Sequence, residues 1–352
     1  MKVLRLALVA TYLSTAFALA ATSADAIAAS SCKLALLADW QVKLVANKLI
    51  VDGAVNGKNV GVMLDTGGIS MIFRAAADRL GLTHHLARGY HSYGVGGETY
   101  VEQTLVDEFK VGKLVRKNWD VMLAGERDWG KSIDVILGED VFDKVDVEFD
   151  LPHHAVRLFQ AEDCNGVALA YWAPQAASQV ELEPGPRITV PVKINGRPVD
   201  AVLDSGAGVS ILDKSAAARL GITPDSPGVE AVGKARGVGA KAVDEWIVPL
   251  QSFAIADETI NDTVIFFADL FKDATSTSYF GSRIPEKIDI APAMLLGADF
   301  LRAHRVLVAH SQRKMYFTYE GGPVFRPRTA KAARNPATED AAPPAEPKDD
   351  KK

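Results

Sequence analysis

The feature that most constrains this chain is an internal repeat: Leu64-Asp65-Thr66-Gly67-Gly68 recurs as Leu203-Asp204-Ser205-Gly206-Ala207. The likeness reaches well past the tripeptide. Asn56-Gly57 stands as far before Asp65 as Asn195-Gly196 stands before Asp204. A segment of helical character follows each aspartate, Arg74 to Gly81 in the first copy and Lys214 to Gly221 in the second. Later in each half an apolar pair runs into glycine, as Val135-Ile136-Leu137-Gly138-Glu139-Asp140 and Met294-Leu295-Leu296-Gly297-Ala298-Asp299. Matching elements in one order are the mark of a duplicated domain. The chain must therefore fold as two similar units.

The two units are built mostly from strands. Each opens with β-branched, alternating segments around Asn-Gly, which supplies the two positive-φ positions of a tight hairpin turn. The second strand of each hairpin ends on an aspartate. Glycine just after Asp-Thr or Asp-Ser lets the backbone turn sharply and approach a neighbour. Further hairpins are expected at Tyr93-Gly94-Val95-Gly96-Gly97 and Arg236-Gly237-Val238-Gly239-Ala240, where Gly94, Gly96, Gly237 and Gly239 suit mobile strands that cover a cleft and Tyr93 is a candidate capping residue. An exposed turn aromatic is the alternative for Tyr93. Later strands are expected at Phe109 to Val111, Trp119 to Leu123, Phe253 to Ile255 and Thr263 to Phe267. The fold class is all-β: two similar closed β-barrel-like lobes with a short helix in each. Lys272 to Gly281 has no counterpart in the first half and borders the cleft or is a surface insertion. Asp140 and Asp299 read as helix caps, and Ser70 and Ser210 as partners for loop backbone groups.

The ends differ from this core. Lys2 and Arg5 precede an apolar run and small residues near Ala26, so residues 1–26 read as a signal peptide and the protein as exported, periplasmic or secreted. A retained anchor is the competing reading, but the run is short for a membrane span and interrupted by Thr11, Tyr12, Ser14 and Thr15, so no stable membrane anchor is expected after cleavage. The lobes are expected over 32–165 and 187–324, with a proline-bearing linker at 166–186 and a disordered tail at 325–352 rich in Ala, Pro, Lys, Asp and Glu. The only cysteines, Cys32 and Cys164, stand at the two ends of the first lobe and are candidates for one disulfide in an oxidising compartment. Two unpaired thiols are the alternative. No metal site and no cofactor are expected, because two distant cysteines and scattered histidines do not form a ligand set. The formal net charge of −5 and the lack of a basic stripe argue against nucleic acid as a partner.

An apolar residue, Asp-Thr/Ser-Gly, a small residue and a later apolar-apolar-Gly turn, all present twice, resemble the aspartic peptidases of the retropepsin-like and pepsin-like kind. The resemblance covers about Leu49 to Phe159 and Ile188 to Phe317. It implies one catalytic aspartate from each lobe, Asp65 and Asp204, supported by Thr66, Gly67, Ser205 and Gly206 in the loops that carry them. Retropepsin-like proteins normally assemble this pair from two chains. Here one chain carries both, so a catalytic dimer is not required. The implied substrate is a protein or peptide, and the implied activity is that of an endopeptidase.

Paired carboxylates cannot both ionise easily, so one holds a proton while the other is ionised. The ionised member can activate water and the protonated one can polarise the peptide carbonyl, with no covalent intermediate. A different class of function is also open: a catalytically weak or inactive bilobal peptide-binding protein. The first loop is one residue shorter before its serine and carries Gly68 where alanine or serine is usual, and these features favour that second reading. A serine hydrolase is the weakest reading, since no nucleophile and base arrangement stands out.

Overall fold

The computed structural model describes residues 31–125, 127–130, 132–185, 187–239, 241–271, 275–277, 285–287 and 292–327. The expected signal peptide and all of the tail beyond Pro327 lie outside the described residues. So does most of Lys272 to Gly281, of which only Thr275–Thr277 is described, as a strand paired with Pro285–Lys287.

Both Asn-Gly dipeptides turn hairpins as the sequence predicts. Lys48–Val55 pairs with Lys58–Leu64, and Thr189–Ile194 with Arg197–Leu203. Asn56 and Asn195 have φ of 49° and 50°, and the following glycines 76° and 78°. Each asparagine side chain also accepts backbone N–H groups from a neighbouring strand, that of Glu108 in one lobe and those of Gln251 and Ser252 in the other. The turn residue thus fixes both the hairpin and what packs beside it.

Each hairpin then enters a closed six-stranded ring. In the first lobe the order is Lys48–Val55, Lys58–Leu64, Val135–Leu137, Met71–Phe73, Leu114–Ala124 and Gly97–Val111, which returns to Lys48–Val55. In the second it is Thr189–Ile194, Arg197–Leu203, Met294–Leu296, Ile211–Asp213, Glu258–Ala268 and Val243–Ile255, returning to Thr189–Ile194. Closure removes open sheet edges, which satisfies the backbone and leaves a dry interior. The short apolar strands Val135–Leu137 and Met294–Leu296 are buried throughout. Each runs parallel to the aspartate-bearing strand and antiparallel to the strand after the aspartate loop. They form the floor on which the loops rest.

Helices form where expected, Arg74–Leu80 and Lys214–Arg219, turning Ala76, Ala77, Ala216 and Ala217 into the core. Each lobe has a second short helix, Glu139–Phe142 and Ala298–Ala303, just after its apolar-Gly turn. Their N-caps are Gly138 and Gly297, which corrects the reading of Asp140 and Asp299 as caps.

A third, six-stranded sheet joins the halves, in the order Lys33–Gln41, Ala155–Glu162, Asp146–Asp150, His304–Ala309, Lys314–Tyr319 and Ser178–Glu181. The last of these lies inside the expected linker, so that segment is partly sheet rather than a free connection. The seam is Asp146–Asp150 against His304–Ala309. Across it, Glu148 accepts from Arg305 at 2.9 Å, and on its own side from Arg157 at 2.6 Å. One core cluster runs through both lobes and this sheet, with Phe109, Trp119, Phe149, Phe253, Phe300 and Phe317 buried. Burying each such ring contributes about 2–3 kcal/mol. Cys32 and Cys164 form the disulfide, tying the entry of the first lobe to its exit. The ordered chain also runs past the expected boundary at 324: Phe325 is buried and Arg326–Pro327 pairs with Glu258–Ala268.

Candidate active site

Asp65 and Asp204 stand one residue beyond the strands Lys58–Leu64 and Arg197–Leu203. The floor strands hold both corners alike: Asp65 N–H donates to the Leu137 carbonyl at 3.0 Å, and Asp204 N–H to the Leu296 carbonyl at 2.9 Å. Glu139 N–H donates to the Gly68 carbonyl and Ala298 N–H to the Ala207 carbonyl, clamping each loop from below. The glycine of the apolar-Gly turn permits this. A Cβ on Gly138 would lie 2.3 Å from the Gly68 carbonyl oxygen, and one on Gly297 would lie 2.6 Å from Val209 backbone atoms.

The loops differ by one residue before their serines, yet both serines reach the same position. Ser70 Oγ accepts from Gly138 N–H and Ser210 Oγ from Gly297 N–H, each at 2.9 Å. Asp140 accepts from Ser70 N–H, and Asp299 from Ser210 N–H and Oγ–H. The shorter loop therefore ends on the same anchors as the longer one.

Between the lobes, Thr66 and Ser205 make a reciprocal grip. Thr66 Oγ1 donates to the Leu203 carbonyl at 2.7 Å and accepts from Ser205 N–H at 3.0 Å. Ser205 Oγ donates to the Leu64 carbonyl at 2.9 Å and accepts from Thr66 N–H at 3.0 Å. Both hydroxyls are buried. Gly67 and Gly206 carry the approach further. A Cβ on Gly67 would lie 2.4 Å from Asp204 Cγ, and one on Gly206 2.3 Å from Asp65 Cγ. Each aspartate thus sits against the other lobe's glycine, close enough for the two carboxyls to bear on each other's proton affinity.

The carboxyls open onto a cleft and are otherwise enclosed by protein. Gly67 N–H donates to Asp65 Oδ1, while Gly206 and Ala207 N–H donate to Asp204 Oδ1. Burial raises the proton affinity of both. Asp204 is pushed up to about 8, chiefly by burial and then by the charge of Asp65. Two carboxyls this close, each resisting ionisation, favour a state in which the pair shares one proton.

The cavity above the pair has a volume of about 420 Å³ and a largely apolar wall that includes Ile69, Met71, Phe73, Trp129, Val209 and Leu295. Two hairpin tips close over it. Gly239 N–H donates to the Val95 carbonyl at 3.1 Å, and Lys241 N–H to the Gly96 carbonyl at 3.0 Å. The expected glycines make this contact possible, since a Cβ on Gly96 would meet the Lys241 carbonyl at 2.1 Å and one on Gly237 would meet Val95 Cβ at 2.7 Å. Gly94 packs against Val238. Tyr93 lies on the strand His85–Gly94 beside the tip, and its side chain is outside the described residues.

A family model for aspartyl protease matches residues 51–141 and again 190–300, together more than half of the chain. The chain belongs to the aspartyl protease family. A comparison with curated proteins found no match. The two matches in this aspartyl protease take in Asp65 with Gly138 and Asp204 with Gly297, the same pieces that the repeat brings together in space. Membership supports a hydrolase that acts on peptides.

Sequence reasoning missed several residues of the protease cleft: Lys48, Trp129, Glu139 and Arg187 all line it. Lys48 is 8% exposed, and its ammonium donates to the Gly206 carbonyl at 2.8 Å. Its Nζ is 5.2 Å from the centre of the Trp129 ring. Burial raises the Glu139 carboxyl, while the charge of Arg187 opposes the rise. The repeat did carry a signal for both cations, because Lys48 stands as far before Asp65 as Arg187 stands before Asp204.

Proposed function

We propose that this aspartyl protease is an exported endopeptidase that cleaves an extended peptide lying between its lobes, using a water activated by Asp65 and Asp204. The observation that carries the reading is the reciprocal placement of each aspartate against the opposite lobe's glycine, with the Thr66–Ser205 grip holding the loops together.

The chemistry follows from a pair that shares one proton. The ionised carboxylate takes a proton from water as its oxygen attacks the peptide carbonyl, while the protonated carboxyl donates to the carbonyl oxygen. Collapse of the tetrahedral intermediate breaks the C–N bond, and a proton returned by the pair leaves with the amine. Which of the two carboxyls is the base at the start of the cycle is set by the shared titration of the pair, not by either residue alone. Substrate backbone can pair with the hairpin strands above the cleft, and the apolar walls suit apolar side chains on either side of the bond.

The Cys32–Cys164 disulfide supports an oxidising destination, in keeping with the basic and apolar start of the chain. The shared anchoring of Ser70 and Ser210 supports catalysis over the peptide-binding reading, which rested on the difference in loop length.

Cleavage of a diverse peptide library by the mature protein, from acidic to alkaline pH, with products identified by mass, tests this function. Internal cleavage between apolar residues is the expected result. Folded protein that cuts no peptide at any pH would overturn it.

A further inference from the structure

We propose that Lys48 is a positioning residue of the aspartate pair: reaching across the lobe interface to the Gly206 carbonyl, its ammonium offsets the single negative charge of the pair and sets the pH range over which that pair holds one proton. The catalytic consequence rests on the peptidase reading above. The electrostatic one does not.

The geometry leaves the ammonium few other reasons to be there. Lys48 begins the strand Lys48–Val55 in the first lobe, and its buried Nζ bonds a carbonyl of the second-lobe loop that carries Asp204. An ammonium away from water is strongly disfavoured unless anions or oriented dipoles replace its hydration. The charged groups facing it are Asp65 and Asp204, which attract it, and Arg127, which repels it. The Trp129 ring adds its electron-rich face, and Glu139 and Arg187 border the same cleft. Burial lowers the proton affinity of Lys48, and the two aspartates oppose that fall. Coupling is mutual: the cation lowers the proton affinity of both carboxyls. With one proton on the pair, the charge of Lys48 balances the one left on the carboxylates, a pairing that a poorly solvated site favours.

The repeat gives a second, independent observation. Arg187 occupies the position equivalent to Lys48, also on the cleft wall, and its charge acts on Glu139 of the first lobe. Lys48 reaches the second lobe, and Arg187 acts on the first. A cation thus stands on the cleft wall at the same place in both copies of the repeat.

Carboxyl-carbon NMR titration of aspartate-labelled wild type, Lys48→Met and Lys48→Arg tests the proposal. The pair in Lys48→Met should bind protons about tenfold more tightly, titrating about one pH unit higher. Lys48→Arg, which keeps the charge, should titrate near wild type. Both limbs of the pH dependence of kcat/KM should move upward in the Met variant, a displacement that mere loss of packing would not cause. Superimposable carboxyl titrations in wild type and Lys48→Met would overturn the proposal. Should the Met variant fail to fold, the double variant Asp65→Asn/Asp204→Asn gives the reciprocal measurement: with no carboxylate left beside it, the Lys48 Cε resonance should titrate at lower pH than in wild type, and an unchanged midpoint would overturn the proposal. Wild-type protein without proteolytic activity would count against the peptidase reading, and the NMR titrations would still decide the role of Lys48.

Discussion

Replacing Thr66 by valine removes one hydroxyl and keeps the side-chain shape, so its effect isolates the hydrogen bonds of the grip. Two backbone groups lose their partners at once, the Leu203 carbonyl and the Ser205 N–H. Both lie in a buried seam between lobes, where water cannot readily replace the hydroxyl. Each orphaned group costs about 1–3 kcal/mol. The variant should therefore be about 3 kcal/mol less stable than wild type. Urea unfolding followed by tryptophan fluorescence, with the disulfide intact, measures this as a lower midpoint at unchanged slope. Ser205→Ala should cost a similar amount, because it orphans the Leu64 carbonyl and the Thr66 N–H. A loss below about 1 kcal/mol in both variants would refute the reasoning, since it would mean that the seam is wet or that the loops relax without penalty.

Gly206→Ala would place a methyl 2.3 Å from Asp65 Cγ, so folded protein should lose at least about a hundredfold in kcat/KM through misplacement of the pair. Circular dichroism would establish the fold, and near-normal activity would count against the close approach. Asp204→Asn should change stability in a pH-dependent way. Folding raises the proton affinity of Asp204 to about 8, so its contribution to stability is fully present below the unfolded value near 4 and is lost as pH rises toward 8. Asparagine carries no such loss, so the stability of the variant relative to wild type should increase from acid to mildly alkaline pH, as followed by thermal unfolding. Replacing Cys32 and Cys164 with alanine should cost about 2–5 kcal/mol, because the bridge closes a long loop, with a separation of 132 residues. Activity of the folded fraction should be retained, since the bridge lies at the ends of two strands of the joining sheet rather than at the cleft.

Much of this arrangement is legible in the sequence because it is local and repeated. Asn-Gly sets each hairpin by its own φ preferences, and the apolar-apolar-Gly turns are recognisable because only glycine fits beneath the loops. The joining sheet is harder to read. Asp146–Asp150 alternates acidic and apolar residues, the pattern of a half-exposed strand, yet every residue is buried. Its carboxylates are enclosed because Arg157 on the next strand, and Arg305 and Ser311 from far along the chain, supply partners for them. Ser178–Glu181 likewise lacks a strand signal of its own and is fixed by pairing with Lys314–Tyr319. Lys48 escapes notice because a lysine at the start of a strand normally points to water. Its burial depends on two aspartates and a carbonyl brought together only by lobe docking.

The most direct test of the central claim is kcat/KM on one cleaved peptide for wild type, Asp65→Asn and Asp204→Asn, each verified as folded. A two-carboxylate mechanism predicts a loss of at least about a thousandfold in either variant, because each aspartate supplies a different proton transfer in the same step. Cleavage at a comparable rate in either variant would contradict it.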